Sequence, residues 1–119
     1  MIDQFRAIVI NQTENKFTRE VKSLKKSFFK NGDILVDVDY SGLNYKDALI
    51  LNNGGKLVKE YPQIPGIDFS GKVVESENAN FKIGDDVILT GWRVGEIYPG
   101  GYAQFARVKS EFLVKTPKK

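Results

Sequence analysis

Cysteine and histidine are both absent from this chain. Disulfides, thiol nucleophiles, imidazole bases and the usual ligands of zinc, copper and haem are therefore excluded, and no tightly held transition metal is expected. The carboxylates, amides and carbonyls that remain suit harder ions. Long apolar runs are also missing. None approaches the roughly 20 residues of a membrane-spanning helix, and no basic, apolar and small-residue leader precedes Arg6-Ala7-Ile8-Val9-Ile10. The expectation is a soluble, cytoplasmic protein with no membrane partner. Phosphate loops are lacking too. Gly91, Gly95, Gly100 and Gly101 fit neither the GxGxxG nor the GxxxxGK[ST] spacing, so no dinucleotide cradle of the chain's own can be read.

The 119 residues, 41% hydrophobic and 12% aromatic, suit one domain that buries roughly two-thirds of its unfolded surface. Net charge is +3, from 18 basic and 15 acidic residues. The signs alternate along the chain except at Lys22, Lys25, Lys26 and Lys30 and at Lys115, Lys118 and Lys119. A solvated face explains these lysines most simply, and help in holding an anionic nucleotide or coenzyme is the sharper alternative.

Short apolar or alternating runs predict strands at residues 7–10, 17–24, 34–40, 69–75, 86–90 and 102–108. In residues 34–40 the even positions are apolar and Asp37 and Asp39 are acidic, which predicts one buried and one wet face. Asn31-Gly32-Asp33, Pro65-Gly66 and Gly84-Asp85 supply turns, and the spacing suggests a barrel or sandwich. One short helix is predicted over residues 45–51, with Asn44 as its cap and Asp47 near its positive end. Tyr40, Phe69 and Phe105 are expected to be buried. A basic sheet face with exposed aromatics, as a single-strand nucleic-acid binder needs, is therefore not expected.

Two stretches combine rigid turn residues with polar ones: Ser41-Gly42-Leu43-Asn44-Tyr45-Lys46-Asp47-Ala48-Leu49, and residues 61–74, which contain Pro65-Gly66-Ile67-Asp68-Phe69-Ser70-Gly71. The first is a strand-to-helix junction carrying an amide, a phenol, an ammonium and a carboxylate. Backbone N–H groups at a helix start can face a developing oxyanion, but a capped helix with its polar groups in water has the same signature. Lys46 and Asp47 are adjacent and should point apart, which leaves Asp47 as a cap or supporting residue. Arg93, beside Trp92, can meet a phosphate or carboxylate, or simply stack on the indole in an exposed loop. For Trp92, packing is the plainer reading. Tyr102 reads as a sheet residue.

Together with residues 81–87, Leu89-Thr90-Gly91-Trp92-Arg93-Val94-Gly95-Glu96 and Gly100-Gly101-Tyr102-Ala103-Gln104-Phe105-Ala106, these stretches resemble the zinc-free quinone oxidoreductase and acrylyl-CoA reductase branch of the medium-chain dehydrogenase/reductase superfamily. The resemblance covers essentially the whole chain. It implies a mainly β, GroES-like, partly open barrel with one or a few short helices. It also implies reduction of an activated C=C bond in an acrylyl-CoA-like thioester, or of a quinone, by NADPH.

In zinc-dependent relatives a metal-binding Cys and His occupy the places that Asn44 and Ile67 hold here, so the resemblance implies no zinc. It makes Asn44 and Tyr45 the candidate catalytic pair, and Asn44, Tyr45 and Arg93 the candidate cofactor contacts. Asp47 and Trp92 become substrate-side or supporting residues. The family's Rossmann domain does not occur in the 119 residues, and the end at Val114-Lys115-Thr116-Pro117 reads as a domain boundary. Four expectations follow: a GroES-like catalytic domain over residues 1–119, no tight NADPH binding by this chain alone, the missing domain as partner, and homo-oligomer formation through apolar residues left open near Pro65-Gly66 and the carboxyl end. The rival reading is a stand-alone GroES-like binding or oligomerisation module without catalysis.

Overall fold

Strands β1 (Gln4–Thr13) and β2 (Lys16–Lys25) pair antiparallel from Gln4↔Lys25 to Thr13↔Lys16 around a two-residue turn in a computed structural model, which describes residues 3–117. In β1, Phe5, Ala7 and Val9 turn inward while β2 stays largely wet, the period-2 arrangement of a ribbon with one covered face. Then follow β3 (Ile34–Ser41), helix α1 (Tyr45–Leu51), β4 (Asp68–Ser76), β5 (Asp86–Thr90), β6 (Phe105–Val108) and β7 (Leu113–Lys115). The last five strands form an antiparallel sheet in the order β6-β3-β4-β5-β7. Bridges Ala7↔Ala103 and Ile10↔Gln63 join the hairpin to loops of this sheet without closing a barrel.

Three apolar clusters hold the layers together. Ile34, Val36, Phe69, Val73, Val87, Leu89, Ala106 and Val108 meet Val94, Phe112 and Leu113 on one side of the five-stranded sheet. On the other side Leu35 joins Phe5, Ala7, Val9, Phe29 and Ile64, where the rings of Phe5 and Phe29 stack 4.7 Å apart. Ile10, Ile50 and Val58 fix α1 against the hairpin. Each fully buried aliphatic side chain contributes about 1.5–3 kcal/mol of transfer free energy.

The mainly β, partly open architecture and the helix over residues 45–51 agree with the sequence reading, and several details differ. Leu35 is buried although it shares the odd face with Asp37 and Asp39, because the hairpin covers the start of β3 from that side. Tyr40 is 78% exposed rather than buried, since the β3–β4 register shifts between Val38 and Tyr40 and alternation breaks there. Phe69 is buried as expected and Phe105 half-buried. Strand β6 starts at Phe105 and not Tyr102, because the chain before it is bonded elsewhere: Gly100 N–H to Ile64 O at 2.8 Å, Gly101 N–H to Gly66 O at 2.9 Å and Tyr102 N–H to Pro65 O at 3.1 Å.

That same ladder buries Pro65 and Gly66, so the expected open patch at this turn is absent. At the carboxyl end Val114 is exposed, as expected, and further exposed apolar side chains include Val21, Tyr40, Leu43, Tyr45, Ile83 and Trp92. Lys118 and Lys119 lie outside the described residues. No helix among the described residues is long and apolar enough to cross a membrane.

Candidate functional site

Strand β3 ends at Ser41, and Gly42-Leu43 carries the chain to Asn44, the N-cap of α1. Asp47, in the first turn, is fully buried. A carboxylate survives there because three donors surround it. Its Oδ2 accepts from the Asn44 backbone N–H at 2.9 Å and from Asn44 Nδ2 at 3.0 Å, and its Oδ1 accepts from the Ile67 N–H at 2.9 Å. Asp68, the first residue of β4, closes the arrangement. Its Oδ1 accepts from the Gly42 N–H at 3.1 Å and its Oδ2 from Asn44 Nδ2 at 3.1 Å. The two polar stretches of the sequence therefore meet on one amide.

Tyr102 caps the cluster, its hydroxyl donating to Gly42 O at 2.8 Å. Burial, followed by the negative charges of Asp47 and Asp68, pushes this phenol up to about 12. Tyr45 is 82% exposed at the outer edge of the helix start. Beside Tyr102 runs a shallow groove lined by Tyr40, Ser41 and Gly101. A larger cavity of about 480 Å³, bounded by Phe28, Tyr61, Tyr98 and Phe112, is lined by none of Asn44, Tyr45, Asp47 or Asp68.

Lys46 points away from Asp47, as the adjacency suggested, and reaches Glu96 at 3.2 Å. This pair ties α1 to the loop that carries Trp92 and Arg93. Both of those residues have positive φ, 56° and 59°. Non-glycine residues there carry about 1–2 kcal/mol of strain each, which the surroundings must offset. Trp92 stacks on Phe112 with centroids 4.9 Å apart, and the Arg93 carbonyl gathers the N–H groups of Glu96, Ile97 and Tyr98. The Arg93 side chain is exposed, and its guanidinium has no ion-pair or hydrogen-bond partner among the described residues. The indole partner proposed from sequence is taken by Phe112.

Asn44 and Asp47 are thus brought together, with Tyr45 next to them on the open side. No hydrogen bond links Arg93 or Trp92 to that cluster among the described residues. Sequence reasoning missed Asp68, Tyr102 and Glu96. Asp68 had a usable signal, an acid between Ile67 and Phe69 at the head of an apolar strand. Tyr102 and Glu96 had none, because their partners lie 60 and 50 positions away.

Residues 30–118 match the alcohol dehydrogenase GroES-like domain. The chain is similar to the acrylyl-CoA reductase AcuI of Ruegeria pomeroyi, at 46% identity over 95% of the chain and 35% of that protein. It is also similar to the YhdH oxidoreductase of Salmonella enterica, solved in complex with NADP, at 46% identity and TM-score 0.90 over 94% of the chain and 35% of that protein. A third likeness is to YhfP of Bacillus subtilis, which carries a quinone oxidoreductase name and was solved with NAD bound. There the identity is 36% and the TM-score 0.89, over 97% of the chain and 35% of that protein. The chain spans about 35% of the length of each of these relatives.

Proposed function

The chain belongs to the alcohol dehydrogenase GroES-like domain family, and on that premise we propose that residues 1–119 act as the catalytic half of an NADPH-dependent reductase of activated C=C bonds. An acrylyl-CoA-like thioester is the substrate favoured by the likeness to the Ruegeria pomeroyi enzyme. A quinone is the second reading, favoured by the likeness to YhfP. The observation that carries the proposal is the convergence of Asn44, Asp47 and Asp68 beside the exposed Tyr45.

The residues present fit part of a nicotinamide dinucleotide and not all of it. Arg93 offers an exposed guanidinium for a phosphate, and Asn44 and Tyr45 offer polar atoms on the open face. The chain has no glycine-rich phosphate turn, so the rest of the dinucleotide falls to a Rossmann domain outside these residues. When bound, NADPH supplies the hydride. Asn44 orients the nicotinamide ribose or the substrate. The Tyr45 hydroxyl donates a hydrogen bond to the substrate oxygen on which negative charge grows, and stands next to it as proton donor. Asp47 keeps the helix start, and with it both side chains, in place.

Hydride transfer needs donor and acceptor carbons held roughly 3–3.5 Å apart, and such positioning supplies about 7–11 kcal/mol. An open face in water cannot provide it. The test compares NADPH oxidation by the 119-residue chain with that of an extended protein carrying an appended Rossmann domain, given acrylyl-CoA or a quinone. Turnover is expected only in the extended protein, with a loss of about 10²-fold in Tyr45→Phe. Robust turnover by the short chain overturns the half-enzyme reading. A ring-forming short chain together with an inactive extended protein favours the binding module.

A further inference from the structure

The side-chain amide of Asn44 has two hydrogens, and both are spent. Nδ2 donates to Asp47 Oδ2 at 3.0 Å and to Asp68 Oδ2 at 3.1 Å. Ionised carboxylates only accept hydrogen bonds. Turned over, the amide would press Oδ1 against two carboxylate oxygens and leave its own hydrogens without acceptors, so its orientation is set by chemistry. Both carboxylates are themselves anchored. Asp47 is held by the Ile67 and Asn44 backbone N–H groups, and Asp68 by that of Gly42. At Gly42 an added Cβ would sit 2.7 Å from Asp68 Oδ1, so a bare backbone is what allows this approach. On its other side, Oδ1 of Asn44 faces the Asp47 backbone N–H in a capping-box arrangement. A carbonyl oxygen keeps a second lone pair, and Asn44 is exposed.

We propose that Asp68, together with Asp47, is a positioning residue that makes Asn44 a one-way acceptor. The amide meets a ligand only through Oδ1, so the group it orients must bring its own O–H or N–H, as a ribose hydroxyl or a carboxamide does. A developing oxyanion or a substrate carbonyl oxygen finds no hydrogen there. Stabilisation of such an oxygen passes to the Tyr45 hydroxyl. The presence of a ligand rests on the function proposed above, whereas the orientation of the amide does not.

The orientation can be read in the isolated ¹⁵N-labelled chain by NMR. The two Nδ2 hydrogens of Asn44 are expected to exchange with water at least about tenfold more slowly than those of the exposed Asn80. Asp68→Asn is expected to abolish most of that difference while β3 and β4 backbone amides keep their dispersion. Wild-type exchange as fast as that of Asn80 overturns the proposal, as does a folded Asp68→Asn protein with unchanged exchange. Inactivity of the extended protein would instead count against the proposed function and leave these readouts standing.

Discussion

Lys46 on helix α1 neutralises Glu96 across 3.2 Å, and the two ends of the bridge differ sharply: the lysine side chain is 47% exposed and the glutamate 5%. The bridge fastens the helix start to the loop of Trp92 and Arg93, with Gln63 completing the clasp through bonds of 3.1 Å to the carbonyls of Glu96 and Ile97. Removing the lysine leaves a sheltered carboxylate without its cation. Because Lys46 is half in water, the loss lies between the surface and buried limits, at about 1–2 kcal/mol. Urea unfolding of Lys46→Ala should show it, and adding Glu96→Gln should recover part of it in a double-mutant cycle.

Arg93 has φ 59°. Glycine there removes about 1–2 kcal/mol of left-handed strain and adds about 0.5–1 kcal/mol of unfolded-state entropy. Arg93→Gly should therefore be about 0.5–1 kcal/mol more stable than Arg93→Ala, which keeps the strain while losing the same side chain. In an extended protein both variants should weaken NADPH binding alike. Equal thermal stability of the two would show that the loop relaxes without help.

A Cβ on Gly100 would run into the carbonyl oxygens of Pro65 and Gly66. Both belong to buried backbone that cannot retreat, so Gly100→Ala is expected to cost about 3 kcal/mol or more. Gly91 gives the contrast, with φ 76° and open space around it. Gly91→Ala should cost only the backbone penalty of about 1–2 kcal/mol. Melting curves of the two variants followed by circular dichroism separate these cases.

Tyr102 holds its proton up to about pH 12, against an ordinary 10.0, because burial comes first and the Asp47 and Asp68 charges add to it. An unfolded tyrosine ionises earlier. Above pH 10 the unfolded state thus binds fewer protons, and stability falls until the folded phenol also ionises. Unfolding midpoints at pH 9 and pH 11 should differ less in Tyr102→Phe than in the parent. Tyrosinate absorbance should lose a late-titrating component in that variant, leaving the burial-raised Tyr61.

Glu75 behaves in the opposite sense. Its hydrogen bond to Lys26 is the largest influence, burial opposes it, and Arg107 at 3.0 Å assists, so its carboxyl sits below the ordinary 4.5. The stabilisation is complete above that ordinary value and is lost as the pH falls through the lower folded one. Acid unfolding of Glu75→Gln should be correspondingly less steep between pH 5 and 3, by a modest amount because the pair is partly exposed.

Most of this fold was legible in the amino-acid order because its determinants are local. Alternation over residues 34–40, the turn at Asn31-Gly32-Asp33 and the cap at Asn44 each depend on neighbours a few positions away, and β3, β5 and α1 fall where those neighbours put them. Absence of cysteine and histidine settled by itself which ligand chemistries the chain can offer. The sequence also singled out Asn44, Tyr45 and Asp47 as a polar helix start. Tertiary structure decided what those residues touch. Leu35 became core because the β1–β2 hairpin lies over it, Tyr40 became surface because the register slipped beside it, and Pro65-Gly66 disappeared beneath Gly100-Gly101. Asp68, Tyr102 and Glu96 joined the site across 24, 60 and 50 positions. Contacts of that range follow from how the sheets and loops close on one another; Asp68 carried a local signal as an acid at the head of an apolar strand, but no residue pattern along the chain names the partner of any of the three.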